Sequence, residues 1–309
     1  MPNTAPNSVE LSEVLSRFDA LLRRLDAILP EQPAQTDWKQ SIAFRWRRGA
    51  GFGARGWLEP VRHVHRMRLA DLQGIQEQIK RVEQNTRQFV QGQPANNVLL
   101  TGARGTGKSS MVKGLLNKYA RDGLRLIEVD KADLVDLPQI VAAIDGRDER
   151  FLLYCDDLSF EATEPGYKAL KVALDGSIST TSDHLLIYAT SNRRHLMPEY
   201  MEENLATKYV GDEIHPGETV EEKISLSERF GLWVSFYPFS QDEYLDIVNH
   251  WLTHFGCNAR NVTAAHEEAL QWALQRGSRS GRVAFQFARD WAGRHAAQSA
   301  STKRGTRKA

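Results

Sequence analysis

The chain has 309 residues, with 40 Lys and Arg against 39 Asp and Glu, and 41% of it is hydrophobic. That length suggests about two domains with sizeable cores, and a formal net charge of +1 gives no global argument for nucleic acid or a membrane surface. Two cysteines, Cys155 and Cys257, supply no disulfide framework and fit a reducing compartment. No apolar run approaches the roughly 18 residues of a membrane span, and Met1–Pro6 lacks the basic start and apolar centre of a signal peptide. The expected setting is cytoplasmic, with no membrane partner.

In chain order, Val9, Leu11, Val14, Leu15, Phe18, Leu21, Leu22, Leu25 and Ile28 recur at helical spacing over residues 8–29, and Pro30 and Pro33 stop that helix. An amphipathic helix of this kind needs a core domain or another subunit to pack on. Lys39–Arg68 is strongly basic (Arg45, Arg47, Arg48, Arg55, Arg62, Arg66, Arg68), with Trp38, Phe44, Trp46, Phe52 and Trp57 interleaved. Charges alternating with stacking rings resemble a single-strand nucleic-acid footprint. The competing reading packs the rings on the core and leaves the arginines solvated or paired with the acidic stretch Glu199–Glu222. Gly51–Gly56 matches G-x-G-x-x-G, but no strand precedes it and no good helix follows, so a flexible loop is expected rather than a dinucleotide site.

From Leu69 the pattern is regular. A helix is expected over Asp71–Gln91 and strands at Asn97–Thr101, Leu124–Val129, Arg150–Cys155, His184–Ala189 and Trp233–Phe236, with helices near Pro138–Ile144 and Tyr167–Leu174 between them. Strands alternating with helices predict a parallel sheet covered on both faces. After Pro238 the pattern turns helical, over Asp242–Phe255, Thr263–Arg276 and Arg282–Ala296.

Between the first of those strands and the next helix lies Gly102-Ala103-Arg104-Gly105-Thr106-Gly107-Lys108-Ser109, a complete G-x-x-x-x-G-K-[ST] phosphate-binding loop, with Ser110 following as a further candidate phosphate contact. Its glycines let backbone N–H groups turn toward phosphate oxygens, Lys108 brings a positive charge, and the Ser109 hydroxyl can ligate Mg²⁺. The third strand runs into Asp156 and Asp157. Asp156 is the natural metal-side carboxylate, and Asp157 falls where many such ATPases carry a Glu that polarises water. Being one methylene shorter, Asp157 implies a closer water or slow hydrolysis. The fourth strand ends at Asn192, which could face a γ-phosphate or the water.

These residues together resemble the AAA+ ATPases. The resemblance implies an arginine finger at Arg229, with Arg193 and Arg194 competing for the part, and a second sensor at Arg282. A cation at a helix start opposes the helix dipole, which suits an anion contact for Arg282. More narrowly, Asn96–Leu100, Cys155–Phe160, Ala189–His195 and Arg229–Trp233 resemble the bacterial ATP-binding family DUF815. In an AAA+ fold, Leu69–Ile75 would cover the adenine.

The expectation is therefore an α/β P-loop NTPase of AAA+ type. Residues 1–68 would form an N-terminal helix with a basic, Gly/aromatic-rich extension, and residues 69–238 the nucleotide-binding domain. Residues 239–297 would form a small all-α lid, and 298–309 a disordered basic tail. The expected function is Mg-dependent ATP binding and hydrolysis in a homo-oligomer that remodels or loads an unidentified protein or nucleic-acid partner. The alternative is a slowly hydrolysing ATP-dependent switch. Asp130–Leu134, where a polypeptide-threading pore loop would lie, has no aromatic residue, and no acceptor site argues for a P-loop kinase.

Overall fold

A computed structural model describes residues 12–21, 36–49, 55–160, 164–175, 184–193, 208–210, 213–215 and 226–305. Most of the Glu199–Glu222 stretch, Gly51–Ala54, Arg194, His195 and the last four residues lie outside the described residues.

The apolar runs form one seven-stranded sheet in the order β2-β1-β4-β5-β6-β3-β9. Its strands are β1 (Ala43–Arg47), β2 (Trp57–Pro60), β3 (Val98–Gly102), β4 (Leu124–Glu128), β5 (Arg150–Cys155), β6 (Leu185–Ser191) and β9 (Leu232–Phe236). All neighbours are parallel except the edge strand β2, which pairs antiparallel with β1. A separate antiparallel pair, β7 (Lys208–Val210) and β8 (Glu213–His215), falls between β6 and β9 in the chain.

Successive residues of a strand point to opposite faces, and the core follows that rule. On β5, Leu152 and Tyr154 join one buried cluster while Phe151, Leu153 and Cys155 join the other. β6 repeats the division with Leu186 and Tyr188 against Ile187 and Ala189. Helices α2 (Gln76–Val90) and α3 (Lys108–Tyr119) cover the first face, and α4 (Leu137–Ile144) and α5 (Pro165–Leu174) the second. The sheet is thus buried on both sides, as its near-continuous apolar strands require.

The C-terminal part is helical, with α6 (Gln241–His254), α7 (Ala259–Ala264), α8 (His266–Gln275) and α9 (Gly281–Gly305). α6 starts on a reciprocal cap. Ser240 Oγ accepts from Glu243 N–H, and the Glu243 carboxylate accepts from Ser240 N–H, satisfying two helix-end donors. Tyr244, Val248, Ala284 and Phe287 of this layer share a cluster with Leu100 and Leu115 of the sheet domain. This helical layer shares one continuous apolar core with the sheet.

Four expectations are corrected. The sheet does not begin at residue 69, because β1 and β2 extend it through residues 43–60. α2 starts at Gln76 after the short 3-10 turn Leu69–Asp71, with Gly74 at φ 76 separating them. α7 is an additional helix. α9 runs to Gly305, past the expected start of the tail at residue 298. The N-terminal helix is described over residues 12–21, here α1, with Val14, Leu15, Phe18 and Leu21 exposed.

Most of the basic, aromatic stretch is structural. Phe44 and Trp46 are buried under the sheet, and a Cβ at Gly56 would meet the Trp46 ring at 2.0 Å, which explains a glycine there. Arg45 pairs with Glu128, Arg47 with Glu59, and Arg48 with Asp133 and Asp136. These partners come from β2, β4 and the turn Lys131–Asp136, not from Glu199–Glu222.

Candidate functional site

The phosphate loop leaves β3 at Gly102 and enters α3 at Lys108. Gly102, Gly105 and Gly107 have φ of 124°, 74° and 102°, a region that L-residues enter only at a cost. Two of them are also packed tight. A Cβ on Gly102 would lie 1.9 Å from the Phe236 carbonyl oxygen of β9, and one on Gly105 2.8 Å from Ser280 Oγ.

Lys108 is only 6% exposed. Its ammonium donates to Gly102 O (2.6 Å), Ala103 O (2.7 Å) and Asn192 Oδ1 (3.1 Å). Burial brings its pKa down to about 8; Asp156 and Asp157 hold it up, while Arg104 and Arg282 push it lower. A buried cation with three neutral acceptors is poised for an anionic one.

Sheet order decides how the carboxylates meet this loop. β5 does not adjoin β3; β6 lies between them, yet the β5 end still reaches the loop, where Asp156 meets Ser109. The junction is Thr190 of β6, 2% exposed. Its hydroxyl donates to Asp156 Oδ1 (2.6 Å) and accepts from Asp157 N–H (2.9 Å), and its carbonyl accepts from Leu158 N–H (2.6 Å). Asp156 Oδ1 also accepts from Ser109 Oγ and Tyr154 OH, both at 2.7 Å. The cavity walls push the Asp156 carboxyl up, but the hydrogen bonds from Thr190, Ser109 and Tyr154, helped by Lys113, outweigh them and leave it below its ordinary value. Its residue remains open toward solvent.

Asp157 has φ 53, the left-handed conformation in a residue other than glycine. Asn192 Nδ2 donates to its carboxylate at 2.5 Å, and the Arg104 guanidinium lies 4.0 Å away. Asn192 therefore bridges Lys108 and Asp157.

From the C-terminal helical part, Arg282 N–H donates to Gly105 O (3.3 Å), and Ser280 Oγ accepts from Val283 N–H (3.3 Å). The start of α9 abuts the loop, and Arg282 lines the same cavity. That cavity, of about 800 Å³, continues from Lys108, Asp156 and Asn192 to Met67, Ile247, Trp251 and Phe285. A charged end and an apolar, aromatic end in one cleft suit a nucleotide's phosphates and base. Glycine cradle, buried lysine and the Ser109–Asp156 pair likewise fit a nucleotide with a hard divalent cation, since these are oxygen ligands beside a phosphate loop.

The structure thus gathers Arg104–Ser110, Asp156, Asp157, Asn192 and Arg282 around one cavity, while Gly102 and Ala103 lie behind them with their carbonyls on Lys108. It does not gather Arg229, which precedes β9 at the opposite end of the strand from the loop and pairs with Asp175 after α5. Arg193 is not among the residues lining the cavity. The sequence reading missed Tyr154 and Thr190, though each sits two residues before a residue it singled out, on the same strand face. It also missed Asn117 of α3, whose amide donates to His65 O (2.8 Å) and Met67 O (2.9 Å) and ties the segment before Leu69 to the phosphate-loop helix.

A family model described as "Protein of unknown function (DUF815)" matches residues 39–295. No curated protein matches the chain. Among solved structures, the chain is similar to the Thermotoga maritima RuvB Holliday junction branch migration motor, at 16% identity over 73% of this chain and 64% of that one, with a TM-score of 0.44. This chain therefore spans less than two thirds of the RuvB chain it matches. It is also similar to a chain of the E. coli MS115-1 HORMA:CdnC:Trip13 complex, at 14% identity over 72% and 90% of the two chains (TM-score 0.47). A third is the Aeropyrum pernix ORC1 protein in complex with DNA, at 12% identity over 71% and 65% (TM-score 0.42).

Proposed function

The chain belongs to the DUF815 family of proteins of unknown function, and from that premise we propose that it is a Mg²⁺-dependent ATPase whose active unit is an oligomer. The observation that carries the reading is the buried Lys108 at the mouth of a nucleotide-sized cavity, with both carboxylates linked to it through β6.

In this reading the loop amides of Gly102–Ser110 and Lys108 bind the phosphates, and the lid arginine, Arg282, adds charge from the other wall. Ser109 and Asp156 would hold Mg²⁺, which when bound supplies charge neutralisation between the outer phosphates. Asp157 takes the proton of the attacking water, and Asn192 orients that water. Arg229 serves a neighbouring subunit. β9 has five residues, so its two ends lie about 15 Å apart at the usual strand rise, too far for Arg229 to reach the phosphates of its own chain. An arginine supplied by a neighbour ties hydrolysis to assembly.

Slow switching is supported by one observation. The Asp157 carboxylate is occupied by Asn192, which also holds Lys108, so a base in this arrangement must first be released.

Radiolabelled ATP turnover by the full chain tests the proposal. Lys108→Ala should abolish it, and unchanged turnover would refute the active-site assignment. Mixing inactive Arg229→Ala with inactive Asp157→Asn subunits should restore activity; a mixture as inactive as its parts removes the role of Arg229 in a neighbour's site.

A further inference from the structure

Sorting the basic stretch by its partners leaves a remainder. The arginines of β1 and the residue after it are neutralised, whereas Lys39, Arg62 and Arg66, which flank the hairpin, have no ion-pair partner among the described residues. These three are exposed and line one groove of about 510 Å³ with Arg125, Arg147 and Glu149. Glu149 is already committed to a two-pronged pair with Arg147. Arg125 donates through Nη1 to Ala120 O and Leu124 O, while its Nε is buried without a hydrogen-bond partner among the described residues.

These cations come from separate segments. Lys39 precedes β1, Arg62 and Arg66 follow β2, Arg125 lies on β4, and Arg147 precedes β5. In a sheet whose β1, β4 and β5 run parallel, Lys39, Arg62, Arg125 and Arg147 meet at the strand ends opposite the phosphate loop, and Arg66 lies between that end and the nucleotide cavity. Five like charges converging on one carboxylate repel one another, and a row of them favours a ligand carrying several negative charges. The groove is open rather than a closed pocket, and the guanidinium fork is suited to phosphate oxygens. The Arg147 guanidinium also lies 5.2 Å from the Trp38 ring centroid at the groove wall.

We propose that this groove binds the phosphate backbone of a nucleic-acid strand, at a site separate from the nucleotide cavity. Arg66 lines both, and Asn117 fastens His65 and Met67 to α3. The segment 61–68 therefore joins the two sites mechanically. The binding claim does not depend on the ATPase proposal, since it is read without nucleotide.

The experiment is fluorescence anisotropy of a labelled 20-nucleotide single-stranded DNA against the full chain, repeated across salt concentrations. Contacts to three or four phosphates predict a slope of about −2 to −3 in log K against log salt, at about 0.7 per phosphate for single strands. The double substitution Lys39→Glu with Arg62→Glu should weaken binding at least tenfold at low salt and flatten the slope. Both side chains are exposed and unpaired among the described residues, so an unchanged thermal midpoint is expected and separates lost binding from lost fold. Neutralising Lys303, Arg304, Arg307 and Lys308 to Gln should leave affinity within about twofold, since the groove alone supplies the three or four phosphate contacts. Overturning results are no binding, a flat salt response, full affinity in the double variant, loss of affinity in the tail variant, or capture by phosphatidylserine vesicles with none by DNA.

Discussion

Thr190→Val removes one hydroxyl and keeps the side-chain volume, so its effect isolates the hydrogen bonds that join β5 to β6. Thr190 Oγ1 donates to Asp156 Oδ1 at 2.6 Å and accepts from Asp157 N–H at 2.9 Å. A hydrogen bond to an ionised group contributes about 1.5–3 kcal/mol, but Asp156 is open to solvent on one side, so screening brings the expected share to about 1–2 kcal/mol. Leaving the Asp157 amide without its acceptor costs about 1 kcal/mol more. The variant should therefore be less stable by about 2–3 kcal/mol at pH 7, read from urea midpoints. Thr190→Ser, which keeps the hydroxyl, should recover most of the loss. The effect must also depend on pH. The folded Asp156 pKa is lowered, so its contribution is complete above the unfolded value and fades as pH falls through the folded one. The gap between wild type and variant should narrow below about pH 4, the range of an unperturbed Asp. A variant as stable as wild type at pH 7, or a gap that widens in acid, would refute the account of the carboxylate junction.

Nucleotide binding should be accompanied by proton uptake at Lys108 in mild alkali. Lys108 sits near pKa 8 without phosphate, and a neighbouring anion raises it. Calorimetry at pH 8.5 in two buffers of different ionisation enthalpy should show uptake, largely absent at pH 6.5 for this group; equal heats in both buffers at pH 8.5 contradict it. Gly102→Ala should be at least twice as destabilising as Gly123→Ala. Both glycines have positive φ, costing about 1–2 kcal/mol for alanine, but only the Gly102 methyl would collide, 1.9 Å from Phe236 O, while Gly123 has open space. Similar unfolding midpoints for the two variants would show that β9 does not hold the loop as described.

The parallel strands from Val98 onward were legible because strands buried on both faces are continuous apolar runs, and the phosphate loop because each fixed position has a separate physical task. β1 was missed although Ala43-Phe44-Arg45-Trp46-Arg47 alternates with period two. Its arginines drew attention to charge, while the carboxylates that neutralise them lie up to 83 positions away and are invisible to any local pattern. Tyr154 and Thr190 escaped for a related reason. A hydroxyl inside an apolar strand reads as core until the neighbouring strand is known, and the insertion of β6 between β5 and β3 is a property of topology alone.

That insertion also explains why Asn192 and Thr190 belong to one strand end. The loop touches the carboxylates through Ser109 on Asp156 and Arg104 near Asp157, but the hydrogen-bonded link from Lys108 itself to Asp157 runs through the end of β6. The shortest route is the Asn192 amide, whose oxygen accepts from Lys108 and whose nitrogen donates to Asp157. Phosphate competing for Lys108 frees the amide oxygen but leaves its nitrogen on Asp157, so loading the loop and freeing Asp157, the base of the proposed reaction, are separable steps. Asn192→Ala should then uncouple them, leaving nucleotide affinity within a few-fold of wild type while changing single-turnover hydrolysis by at least tenfold, as removing a water-orienting group does. Proportional losses in binding and turnover would instead make Asn192 a plain phosphate ligand.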